Sequence, residues 1–216
     1  MLKNWIIVLV IQFFFVYLQK KMKKELFEAF IHANIGVIED IRARAAKLHD
    51  IDCNQKYGEG KPYSFHLNMV AEYAMKWGYL ICEYEHHIIP IIFGAYFHDA
   101  IEDARVTYND MMKIAEKYMS HYQAVIAVEI VYALTDEKGR NRAERGSEKH
   151  YEDIRNTMYA PFVKFCDRYA NYHYSCEVGS RMAKVYEKEM PEFIVKLGGD
   201  KYLTHELCEL ILNEKS

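Results

Sequence analysis

The chain has 216 residues, 51% of them apolar and 14% aromatic, with a formal net charge of −3. That is enough apolar material for one good-sized buried core, while the absence of net positive charge gives no footprint for a nucleic-acid backbone reader. Five cysteines, at 53, 82, 166, 176 and 208, are odd in number and never paired as CxxC, which excludes a disulfide framework and a structural zinc ribbon and points to a reducing cytoplasm.

Residues 5–18, WIIVLVIQFFFVYL, are apolar except for Gln12. The run is short of the roughly 20 residues a spanning helix needs and lacks a small-residue cleavage site. Residues 1–21 are therefore set apart from the domain at 22–216, with Met22 as the expected start and a signal anchor as the competing reading.

The remainder reads as helices. Leu26, Phe27, Phe30, Ile31, Val37, Ile38, Ile41, Ala45 and Leu48 share one face of a helix predicted over 24–48. Gly58, Gly60 and Pro62 mark 50–64 as a loop. A helix from His66 carries Val70, Tyr73, Ala74 and Trp77, with Gly78 as its expected C-terminal cap. A third helix is predicted over 88–103. Thr107 and Asp110 form a capping box that opens 108–118, and 121–134 follows. The polar stretch 135–147 is read as a loop. Pro161 suits the first turn of 160–177, and helices at 181–196 and 202–213 complete the chain. Period-two alternation and internal repeats are absent, so the expected fold class is all-α, a single helical bundle.

The segment FHDAIEDA, residues 97–104, carries the chemistry. On a continuous helix His98, Asp99, Glu102 and Asp103 would share one patch, behind the apolar run IIPIIFGAY. Unpartnered buried carboxylates are costly, and an imidazole among them favours a divalent metal as the partner. Further ligands are expected from His66, at a helix start after a Gly/Pro loop, and from Asp167, in the apolar run FVKFCDRYAN. Two nitrogen and two oxygen donors suit Mn, Fe, Co or Zn better than Ca or Mg. His86, His87 and His121 are read as helix-start or surface residues and not as a second metal site.

With these residues in place, H…HD…D resembles the signature of HD-domain metal-dependent phosphohydrolases. GKPYSFH, FHDAIEDARVT and VKFCDRYAN together resemble the hydrolase domain of the RelA/SpoT alarmone enzymes, and LTDEKGRNRAER is similar to a loop of the small stand-alone hydrolases of that family. The resemblance covers roughly residues 24–180. It implies a single Mn²⁺ held by His66, His98, Asp99 and Asp167, with Glu102 and Asp103 as catalytic acids and Asn171 facing the nucleotide. It implies hydrolysis of the 3′-pyrophosphate of ppGpp or pppGpp by water activated at the metal.

Lys138, Arg140, Arg142 and Arg145 concentrate positive charge in one loop, and arginine forks suit phosphate oxygens. Two departures stand out. The arginine that commonly lies nine residues before the first ligand is Tyr57 here, beside Lys56, and is expected to meet the base by stacking. The proline usually following that ligand is Leu67. Few residues remain after 180, so a stand-alone hydrolase is expected, with a small nucleotide as substrate and no nucleic-acid or membrane partner. Two other readings stay open: an HD phosphatase acting on the 2′-phosphate of NADPH or on a nucleoside monophosphate, and a metal-binding module without turnover.

Overall fold

The computed structural model describes residues 22–135, 147–199 and 203–213. Within these the chain is all-α, apart from one hairpin of two two-residue strands. The amphipathic stretch predicted over 24–48 is two helices, α1 (Lys24–Ala33) and α2 (Ile35–Ala46). They break at Asn34, whose side-chain amide donates to the Phe30 carbonyl at 2.9 Å and so competes with the helical ladder. The buried face is the expected one at Phe27, Ile38, Ile41, Ala45 and Leu48, whereas Leu26 is exposed.

After α2 the backbone widens into a π-helical turn, Lys47–Asp52, closed by Cys53 N donating to Leu48 O. The predicted loop then contains the antiparallel pair β1 (Lys56–Tyr57) and β2 (Lys61–Pro62). Helix α3 (Ser64–Trp77) follows. At its end Gly78 is not the expected left-handed cap, since its backbone is right-handed helical. Glycine is required there by packing: a Cβ would lie 2.5 Å from the tip of the Phe27 ring.

The helix predicted over 88–103 is also two: α4 (Ile88–Phe97), every residue of which is buried, and the single turn α5 (Ala100–Asp103). Helices α6 (Tyr108–Ala115) and α7 (His121–Leu134) each start in a capping box, Thr107 with Asp110 and Ser120 with Gln123. Helix α8 (Glu148–Asn156), capped by Ser147, was not legible from apolar periodicity because its mean composition is strongly polar and only His150 and Ile154 are buried. Helices α9 (Ala160–Glu177), α10 (Met182–Lys196) and α11 (His205–Asn213) complete the order.

Helix α4 is the axis of the bundle and packs against α2, α3, α7 and α9. The approach to α7 is close enough that a Cβ on Gly94 would sit 2.7 Å from Ile130 Cγ2. Because α4 is apolar all round, it can end only where the core ends, and its C-terminus delivers His98 and Asp99 to the point where α3 and α9 converge. None of the described helices is long and apolar enough to cross a membrane; residues 5–18 lie outside the described residues. No disulfide links the described cysteines.

Candidate metal centre

Three helices bring donor atoms of His66, His98 and Asp167 to one point, with Asp99 beside His98 at its edge. His66 comes from the first turn of α3, His98 and Asp99 from the end of α4, and Asp167 from the middle of α9. His66 Nε2 lies 3.3 Å from His98 Nε2 and 3.3 Å from Asp167 Oδ1. Asp99 Oδ2 is 2.8 Å from His98 Nε2 and 4.0 Å from His66 Nε2, and His98 Nε2 is 3.8 Å from Asp167 Oδ1. With metal–ligand bonds of about 2.1 Å, donors at right angles stand about 3.0 Å apart and opposed donors about 4.2 Å. The separations among His66, His98 and Asp167, 3.3 to 3.8 Å, fall in that span, whereas Asp99 Oδ2 lies closer to His98 Nε2, at hydrogen-bond distance. His66, His98 and Asp167 form a buried group able to hold an ion, and no second such group occurs among the described residues.

The break after α4 makes this geometry possible. Neighbouring residues on a continuous helix do not face each other, so His98 and Asp99 could not both ligate from one. Asp99 leaves the helical region with φ −100° and ψ 1°, in the bridge region where active-site residues are often found. This swings its carboxylate onto the His98 ring. The patch predicted for a single helix is thereby split: Glu102 and Asp103 lie on the exposed side of α5 and are not buried carboxylates. They stay within one turn of the ligands, because Asp103 N donates to Asp99 O at 2.9 Å.

Each donor is held by a partner outside the cluster. His98 Nδ1 donates to the Ala95 carbonyl at 2.9 Å, which makes Nε2 the nitrogen that faces the cluster. His66 is held by rings: Tyr57 stacks on its face at 4.8 Å and 15°, and Tyr63 meets it edge-on. The Tyr63 hydroxyl donates to Asp99 Oδ2. Asn171 Nδ2 donates to Asp167 Oδ1 at 2.7 Å and to that residue's own carbonyl at 3.0 Å, while Tyr57 donates its O–H to Asn171 Oδ1 at 2.9 Å. Asp50 accepts from Ser64 N at 2.9 Å and so anchors the start of α3.

Electrostatics fit a cation. Burial favours neutral carboxyls, yet the His98 charge holds Asp99 well below the usual carboxylate range. Burial is overcome in the same sense at Asp167, by Lys164 and the two histidines. At His98 burial favours the neutral ring, but the Asp99 and Asp167 carboxylates outweigh it and raise the pKa to about 9. Two partly buried acids thus favour positive charge at this point, which a divalent ion held by the His66, His98 and Asp167 group would supply.

Tyr57, expected to stack on a nucleobase, has one face against His66 and its ring edge near Tyr174. Asn171, expected to face a nucleotide, is engaged with Asp167 and Tyr57. Lys56 is exposed on β1. Arg140, Arg142 and Arg145, with Lys138, lie outside the described residues. Sequence reasoning missed Lys164, whose Nζ is 3.5 Å from Asp167 Oδ2; a lysine one turn before a buried aspartate was the available signal. His87, with Nδ1 2.8 Å from the Tyr159 hydroxyl, and His121, 2.6 Å from Glu116, are held away from the cluster. Comparison with known proteins adds no neighbour: no protein-family model matches the chain, and no curated protein or solved structure is significantly similar to it.

Proposed function

We propose that the protein is a metal-dependent phosphohydrolase of the HD type, acting on the 3′-pyrophosphate of ppGpp or pppGpp. The observation that supports this reading is the convergence of His66, His98 and Asp167 from three helices, with Asp99 against His98 and Glu102 and Asp103 one turn beyond. An ion bound there, Mn²⁺ or another divalent transition metal, supplies Lewis acidity toward phosphoryl oxygen and acidifies water.

The chain's own residues then divide the remaining work. Glu102 and Asp103 take the proton of the attacking water and return it to the departing 3′-oxygen. The phosphorus gains the water's hydroxyl, the bond from phosphorus to O3′ breaks, and GDP or GTP leaves with pyrophosphate. Acid–base help of this kind contributes typically ~10²–10⁴-fold. Lys164, beside the cluster, offers a cation to phosphoryl oxygens, and Arg140, Arg142 and Arg145 are expected to add theirs.

A second reading, hydrolysis of a phosphate on another nucleotide, is favoured by Tyr57, which stands where the resembling family holds guanine with arginine and is occupied by His66 and Asn171. The test is release of phosphate or pyrophosphate by Mn²⁺-loaded protein from ppGpp, pppGpp, NADPH and deoxynucleoside monophosphates. Pyrophosphate release from the alarmones alone is the expected result. Turnover confined to another substrate moves the reading to that nucleotide, and no turnover on any leaves a metal-binding module.

A further inference from the structure

The acid Asp103 is exposed, yet it is not left to solvent. Gln55 Nε2 donates to Asp103 Oδ2 at 2.5 Å across 48 positions of sequence, and the other end of the same amide, Oε1, lies 2.7 Å from His49 Nδ1. Gln55 is brought there by backbone geometry. The π-helical turn widens the chain at His49, Asn54 takes a left-handed φ of 50°, and Gln55 N returns to donate to His49 O at 2.8 Å. His49 is wholly buried and stacks on Tyr63 at 5.1 Å and 18°, and Tyr63 in turn donates to the ligand Asp99. One imidazole thus sits behind both the acid and a metal ligand.

The hydrogen positions in this chain follow from the acceptor. A carboxylate accepts only N–H or O–H, so the amide nitrogen of Gln55 faces Asp103 and its oxygen faces His49. His49 Nδ1 must then carry the hydrogen. Its Nε2 is the bare nitrogen, buried with no hydrogen-bond partner among the described residues. Burial favours the neutral ring, as this tautomer needs. Local π-helical turns recur at functional sites, and this one has a specific product: a neutral donor at a fixed place below the acid.

We infer that His49 and Gln55 are positioning residues for Asp103, the imidazole fixing the amide and the amide aiming the carboxylate toward the reacting water. This rests on Asp103 acting in the proposed hydrolysis. A misaimed acid lowers the rate of the chemical step without loosening substrate.

The test pairs turnover with a measurement that needs none. Gln55→Ala should lower kcat about tenfold or more, with KM and bound Mn²⁺ unchanged, and should add little when combined with Asp103→Asn. His49→Phe, which keeps a ring against Tyr63 but has no donor, should match Gln55→Ala, whereas His49→Asn, whose amide N–H can stand in for Nδ1–H, should recover part of the rate. Long-range ¹H–¹⁵N correlation on the full chain should show the Nδ1–H tautomer of His49. Unchanged kcat in Gln55→Ala, a loss that appears only in KM or metal content, or an Nε2–H tautomer would each overturn the inference. Absence of turnover by the wild type would refute the hydrolase reading, and the tautomer would still decide whether this chain of hydrogen bonds exists.

Discussion

Asn171→Ala isolates the support of a metal ligand from the ligand itself. In the native chain Asn171 gives Asp167 Oδ1 a charge-assisted hydrogen bond of 2.7 Å from the next turn of α9. Bonds to charged groups contribute about 1.5–3 kcal/mol, and outer partners of metal ligands typically account for 10–100-fold in affinity. Asp167 keeps Lys164 on its other oxygen, so the carboxylate stays in place but loses its aim, and Mn²⁺ should bind about 10–100-fold more weakly. Tyr57→Phe removes one neutral bond to the same amide, worth about 0.5–1.5 kcal/mol, and leaves the ring on His66. Its effect should be smaller, at most about tenfold. Competition of Mn²⁺ between protein and a chromophoric chelator at fixed pH measures both, with thermal unfolding as the control for folding. Affinity within twofold of wild type in Asn171→Ala would refute the reasoning, as would a larger loss in Tyr57→Phe.

Metal binding should release a proton from His98, whose pKa is raised to about 9: below that pH the ion competes with this proton and affinity falls by about tenfold per pH unit, which calorimetry in buffers of differing ionisation enthalpy can count. The same shift stabilises the metal-free fold, fully below the ordinary imidazole value of about 6.5 and progressively less as pH rises through about 9. Glu102→Gln and Asp103→Asn should keep stoichiometric Mn²⁺ by elemental analysis while turnover falls by about 10²-fold or more; wild-type rates in both would mean the two acids merely solvate the end of α5. Gly94→Ala should destabilise the fold by about 1–3 kcal/mol, since the stiff β-branched Ile130 cannot yield to a methyl placed 2.7 Å from its Cγ2; an unchanged denaturation midpoint would mean that α4 and α7 separate freely.

The all-helical class and most of the buried faces were legible because apolar spacing reports the core directly. Breaks inside apolar runs were not. Asn34 divides 24–48 by a side-chain bond to the backbone, and Asp99 divides 88–103 by a local dihedral, neither of which alters the hydrophobic period. The candidate ligands His98, Asp99 and Asp167 could be chosen as chemically expensive residues in or beside apolar runs, and His66 as a helix start after a Gly/Pro loop, but their approach depends on the Asp99 break and on where α3 and α9 meet α4. Helix α8 escaped notice because it buries little, and Gln55 and His49 because a contact made through a π-helical turn leaves no repeat to read. Gly78 was read as a cap from its position after Trp77, whereas the ring of Phe27, fifty-one positions earlier, sets the requirement.

The two histidines of the cluster are oriented by different means, and this bears on which side chains the metal affinity depends on. His98 is fixed by the backbone of its own helix, through the Ala95 carbonyl, and no substitution elsewhere needs to compensate for it. His66 has no such bond. Its Nδ1 finds no partner among the described residues, and its ring plane is set by Tyr57 and Tyr63 from either side of the short hairpin. Tyr57 therefore supports His66 with its face and Asp167, through Asn171, with its hydroxyl. An arginine at this position could serve neither role in the same way, since it has no acceptor-donor hydroxyl and a guanidinium stacked on His66 would place positive charge against the ion. Metal affinity therefore rests partly on Tyr57, so a substitution there that removes both the ring and the hydroxyl should carry a measurable loss of Mn²⁺ binding.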